Sequence, residues 1–163
     1  MAVTIKSATL WRREVENRPG ALTSALEPLA KAGVDLRVVM GYRLPGAESR
    51  AVVEVHPVSG KRATEAAATV GLSASTIPTL IVEGDNRAGL GHAIAQAISE
   101  AGINLAFVLA QVVGRRYSAV LGFETESDAS RAAVAIRQAS AGEEALRVAA
   151  MEAPTPASLT FVL

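Results

Sequence analysis

Two β-α-β-β-α-β units in tandem, an α+β protein, are predicted by three observations. Glu16-Asn17-Arg18-Pro19-Gly20-Ala21-Leu22 and Asp85-Asn86-Arg87-Ala88-Gly89-Leu90-Gly91 are related loops 69 positions apart. Each follows a run that reads as a strand and opens a segment of helical periodicity. The order of strand and helix patterns after the first loop then recurs after the second. At the 69-residue shift Arg18 meets Arg87, Gly20 meets Gly89, Ala32-Gly33 meets Ala101-Gly102, and Leu36 meets Leu105. Past the hairpin turn a shift of 68 aligns Ala51-Val52-Val53 with Ala119-Val120-Leu121, one residue being lost in the turn.

The elements follow in order. Residues 4–16 begin the fold, and 8–16, with no helical apolar stripe, read as a strand. Leu22, Ala25, Leu26 and Leu29 form a helix stripe that stops at Gly33. A β-branched run over 34–42, a turn at Leu44-Pro45-Gly46, and a returning strand over 50–56 make a hairpin. The Ala-rich segment 59–70 is helical and closes at Gly71, and a short strand within 73–77 completes the unit. The second unit repeats this: strand 79–84, helix 91–101 with Ile94 and Ile98 inward, and strands 103–113 and 117–123 around Gly114-Arg115-Arg116. Helix 128–139 follows, with Ser127 as its N-cap, and then a last strand at 145–149. This order gives a four-stranded antiparallel sheet with two helices on one face, the ferredoxin-like arrangement. Leu105-Ala106-Phe107-Val108-Leu109-Ala110 is apolar at both alternations, so the second face of that sheet needs cover. The first unit, a second chain, or the tail at residues 158–163 could supply it.

Half of the 163 residues are hydrophobic and 4% aromatic, so the core is built of Ala, Val, Leu and Ile. Units of about 75 residues are near the size where independent stability becomes marginal, so the two should lean on each other or on a partner. Lys+Arg and Asp+Glu both number 16, and a net charge of zero argues against nucleic acid as a partner. With no cysteine there are no thiol nucleophiles, disulfides or Cys metal sites. Residues 1–9 carry no signal pattern and no run reaches membrane length, so a soluble cytoplasmic protein is expected.

The two loops are the candidate binding elements. Asn, Gly and Pro suit a sharp strand-to-helix turn, and the helix that follows presents unpaired N–H groups and its positive dipole end to a carboxylate or phosphate. A strand, then Asn-Arg-Pro-Gly-x-Leu, then a helix ending in Ala-Gly-Val-Asp-Leu or Ala-Gly-Ile-Asn-Leu, resembles the ACT domain of amino-acid-metabolism regulators. The resemblance covers about residues 10–77 and again 79–149. The expected division is therefore a first ACT-like domain at 1–77, a second at 78–150, and a tail at 151–163.

What the resemblance implies is a non-catalytic regulatory module whose units pair side by side and hold an amino acid at the pairing interface. Loop amides would hold the effector carboxylate, and a group at the start of the second strand would meet its amino group. By matching position the second-copy site is Asp85, Asn86, Ala88, Gly89, Leu90, Gly91 and Asn104. The first-copy equivalents are Asn17, Pro19, Gly20, Ala21, Leu22 and Asp35. Gly91 stands where the first copy has Leu22, which favours the second loop as the roomier site. The expected partners are a free amino acid or similar small zwitterion, a second copy in a homodimer, and a biosynthetic enzyme, with no cofactor, nucleic acid or membrane. The alternative keeps the fold and drops the ligand, leaving a regulatory or assembly subunit of an amino-acid biosynthetic enzyme.

Other chemistry finds little support. His56 and His92 are the only histidines, too few for a metal site without Cys. Glu14 and Glu16, like Glu124 and Glu126, alternate along extended chain and fit a solvated edge. Arg18 or Arg87 could cradle phosphate as in the acylphosphatase group, which shares the topology, but that group's glycine-rich loop is missing. The central strands carry one Phe and no basic surplus, unlike RNA-binding domains of this topology.

Overall fold

The computed structural model describes residues 3–152, with side chains described as far as 142. In chain order the elements are β1 (Thr4–Ala8), β2 (Trp11–Glu16), α1 (Ala21–Lys31), β3 (Val38–Leu44), β4 (Ala47–His56), α2 (Lys61–Thr69) and β5 (Ser73–Ala74). They continue as β6 (Thr79–Asp85), α3 (Leu90–Glu100), β7 (Leu105–Val113), β8 (Arg116–Phe123) and α4 (Glu126–Glu152). Two four-stranded antiparallel sheets result, ordered β3-β4-β2-β5 and β1-β6-β8-β7. The α+β fold class read from the sequence is the one found.

The opening segment is split between the sheets. Pro- and Gly-free, it runs extended, but it breaks at Thr9-Leu10. β1 pairs with β6, Thr4 opposite Glu83 and Ala8 opposite Thr79. β2 pairs with β4 on one side and, through Trp11 and Arg12 only, with β5 on the other. The fourth strand of the second sheet is thus β1, not the strand expected at 145–149. That segment lies inside α4. Its sequence, Glu-Glu-Ala-Leu-Arg-Val-Ala-Ala-Met-Glu over 143–152, is a run of strong helix formers, and Gly142 alone does not stop them. The cap of α4 is Thr125 rather than Ser127: the Thr125 hydroxyl accepts the Asp128 N–H at 3.0 Å and donates to the Asp128 carboxylate at 2.8 Å.

Strand pairing also corrects the repeat. Glu16 lies opposite Arg50 and Asp85 opposite Arg116, so the second hairpin strands correspond at a shift of 66 rather than 68. The three additional residues form a bulge in the first hairpin, where Arg43 faces Ala51 but Leu44 faces Ala47. An error of two residues leaves every side chain on its proper face, which is why the sequence pattern did not expose it.

Each unit has its own core between sheet and helices. In the first, Ala25, Leu29, Val53, Val55, Ala67 and Leu72 are buried. In the second, Leu80, Val82, Leu90, Ile94, Ile98, Leu121, Phe123 and Ile136 are buried, with Val3 and Ile5 of the crossing segment against them. Burying each large aliphatic or aromatic side chain here contributes about 1.5–3 kcal/mol. A third cluster joins the helix-free faces: Leu10, Val38 and Met40 pack with Val120, Ile81 and Phe107. The first unit therefore supplies part of the cover expected for the second sheet; residues 158–163 lie outside the described residues. The Phe107 ring lies where a Cβ on Gly122 would have to be, so that pair is specified by shape. On β7, Val108 is 60% and Val113 67% exposed.

Candidate functional site

The two loops are built alike. Gly20 and Gly89 are the N-caps of α1 and α3, with φ of 85° and 82°, a conformation only glycine adopts without strain. The Asn17 N–H donates to the Ser49 carbonyl and the Asn86 N–H to the Arg115 carbonyl, each at 2.8 Å. The Asn17 side chain adds a bond to the Glu48 carbonyl at 2.9 Å. Neither helix has a side-chain cap or an acidic residue in its first turn, so both leave N-terminal N–H groups and positive dipole ends uncompensated.

What surrounds the loops differs. In the second copy Leu90 is 2% exposed and belongs to the core. Tyr117, 7% exposed, lies over Gly91, its hydroxyl 3.8 Å from where a Cβ there would be. Burial raises the Tyr117 phenol pKa, so it stays neutral. The room that Gly91 leaves is thus filled by Tyr117, and Asp85 is held by Arg116 at 2.8 Å. In the first copy the residues at these positions are Ala21 for Leu90 and Ala51 for Tyr117. A cavity of about 440 Å³ opens there, lined by Arg13, Glu14, Val15, Glu16, Arg18, Ala21, Ser24 and Arg50. Glu16 pairs with Arg18 at 3.2 Å, and Glu14 pairs with Arg50. Among the expected residues, Ala21 lines this cavity, while Asn17, Pro19 and Gly20 shape the exposed loop before it and Leu22 is exposed in the first turn of α1.

Asp35 and Asn104 lie elsewhere. Val38, just after Asp35, faces His56, whereas Glu16 faces Arg50, six residues along β4. At the strand rise this is about 20 Å. Leu105 and Asp85 are separated by seven residues of β8 in the same way, about 23 Å. Within either copy, therefore, the loop and the Asp or Asn occupy opposite ends of the sheet. Asp35 lines another cavity of about 500 Å³ with Arg37, His56 and Arg62.

The charges of the first cavity continue into the molecule. Arg12 lies 3.8 Å from Glu14 and 3.5 Å from Glu54, which is fully buried among the residues between the sheets. The Tyr42 hydroxyl donates to the other Glu54 oxygen at 3.3 Å. Glu54 Oε1 and Arg12 Nε are buried and make no hydrogen bond, so the ion pair is their only mutual support. Burial raises the Glu54 carboxyl pKa; the Arg12 charge and the Tyr42 hydroxyl lower it without cancelling that effect. The second-copy counterpart of Glu54 is Val120, so this charge is peculiar to the first unit.

Sequence reading missed Arg13, Glu14, Ser24 and Arg50. Aligning the copies held a signal for one of them, since Arg13 falls opposite the apolar Val82. No group of His, Cys, Asp and Glu able to hold a metal occurs among the described residues. No helix among them is long and apolar enough to cross a membrane.

No family model matches the chain, and no curated protein matches it. Among solved structures it is similar to a protein from Bacteroides thetaiotaomicron, with a TM-score of 0.61 and 14% identity over 80% of this chain and 87% of that one. It is also similar to the ligand-free regulatory subunit of aspartate kinase from Thermus thermophilus, with a TM-score of 0.59 and 18% identity over 85% and 97% of the two chains. The regulatory subunit of aspartate kinase from Thermus flavus gives 0.57 and 19% over the same shares. At these identities the likeness establishes the fold.

Proposed function

We propose that this chain is a non-catalytic, ACT-like regulatory protein that binds a free amino acid at its first-copy loop and acts on a biosynthetic enzyme. The observation that carries the reading is the difference between the copies: one loop region is packed shut by Leu90 and Tyr117, the other is open beside Ala21, with Ala51 in the place of Tyr117. The cavity offers both signs of charge and the N-terminus of α1, which suits a zwitterion. The enzyme partner is supported by the fold shared with proteins named as regulatory subunits of aspartate kinase. The second-copy loop, from Asp85 to Gly91, has a structural part in this reading. Asp35 or Asn104 would reach a ligand only from a neighbouring unit, so two chains pair, with the exposed edge β7 as the contact. Binding would favour one arrangement of the paired units, which the enzyme reads.

A thermal-shift screen of the twenty amino acids, followed by calorimetry, tests this. Ligand at 100 times its dissociation constant should stabilise the chain by roughly 2.7 kcal/mol. Ala21→Leu, which places in the first copy the residue of the second, should abolish the shift and leave the fold intact. If no amino acid binds, the sensor reading fails and the ligand-free assembly subunit takes its place.

A further inference from the structure

We infer that the first-copy cavity takes an amino acid with a second carboxylate, and that Arg13 selects it. The inference rests on the regulatory reading above and adds the ligand class. Arg13 stands at a position whose pattern calls for an apolar side chain. Trp11 and Val15, two residues to either side on β2, pack against the first core cluster. Its counterpart Val82 is fully buried, and the residues across the pairing, Val53 and Ala119, are 2% and 1% exposed. A guanidinium cannot remain in such a core without a partner. The Arg13 stem instead runs past Gly71, with Cδ and Nε each 3.8 Å from where a Cβ on that glycine would lie, and the side chain lines both this cavity and a neighbouring one of about 460 Å³ that Gly71 borders.

Of the five charged residues around the cavity, Arg18 is matched by Glu16 and Arg50 by Glu14. Arg13 has no carboxylate partner among the described residues. One positive charge is therefore left over, next to a helix N-terminus with no acid in its first turn. A neutral zwitterion adds a carboxylate and an ammonium together and leaves that surplus unchanged. An acidic amino acid neutralises it, and the planar guanidinium fork can engage the added carboxylate through two parallel hydrogen bonds. The corresponding amide has the same shape but offers a single acceptor oxygen and no charge.

Calorimetric titration of the full chain with L-aspartate, L-glutamate, L-asparagine, L-glutamine, L-lysine and succinate tests the inference. One of the two acids should bind at least roughly tenfold more tightly than its amide. Arg13→Val, the residue of the second copy, should erase that preference while circular dichroism stays unchanged, and Arg13→Lys should retain part of it. Equal binding of acid and amide, tighter binding of lysine, or an undiminished preference in Arg13→Val overturns selection by Arg13 and leaves the regulatory reading standing. Succinate binding as tightly as the amino acid overturns the amino-acid class. Silence from all twenty amino acids in the thermal-shift screen overturns both readings together.

Discussion

Glu54 places a carboxyl between two sheets at a position where the second copy carries Val120. Its pKa is raised by burial, so the folded state holds the proton more tightly than the unfolded state. The stability this group contributes is therefore complete below the ordinary carboxylate range and is lost as pH rises through the raised folded value. Glu54→Gln should remove that dependence. Urea unfolding at a series of pH values should show the variant gaining on the wild type as pH rises across this window, then a constant difference above it. A difference that does not change with pH would mean that the carboxyl is not shifted. At neutral pH the variant also leaves Arg12 without its buried partner, so the constant difference measures how much the ion pair offsets desolvation.

Among the described elements, β7 exposes the most large apolar side chains: Val108, Leu109, Val112 and Val113. Its sequence, Leu-Ala-Phe-Val-Leu-Ala-Gln-Val-Val, has no charge, proline or glycine to blunt an edge, and it lies at the end of its sheet. Under the proposed pairing, Val108→Lys should convert a dimer into a monomer in sedimentation while leaving the circular dichroism spectrum unchanged. A wild-type chain that sediments as a monomer at tens of micromolar would remove β7 as the contact. Helices and hairpins of this kind were legible because periodicity and glycine stops are local signals: α1, α3 and both hairpins lie close to where residue spacing puts them. The partner of a strand is not a local property. Nothing in Thr4–Ala8 says whether it joins β2 or β6, and the helix-forming run after Gly142 only indirectly reveals that the last strand position must be filled from elsewhere. The candidate site was legible in the same measure. The loop motif pointed to both copies and favoured the second, while the filling of that copy by Leu90 and Tyr117 and the opening of the first depend on contacts across strands.

At the scale of the whole molecule, β1 makes the first unit an insertion within the second. The chain crosses between sheets at Thr9-Leu10 and again at residues 75–78, and the Ser75 N–H donates to the Leu10 carbonyl at 2.8 Å, so the crossings are tied together. Removing residues 1–9 should therefore weaken the distant second sheet. Hydrogen exchange should speed up at Thr79–Asp85, which loses its neighbouring strand and the packing of Val3 and Ile5. Faster exchange confined to the first unit would contradict this coupling.

The same crossing sets a timetable for synthesis. β1 leaves the ribosome well before its partner, since Ala8 pairs with Thr79 and Thr4 with Glu83. At about 5–20 residues per second, the intervening stretch takes several seconds to be made. During that interval the first sheet can close on its own strands while β1 waits unpaired. Closure of the second sheet must wait for β6, and it draws β1 onto a strand made only after the whole first unit. A nascent chain halted within the first unit would display that strand with both edges open, whereas the finished protein pairs one of them with β6.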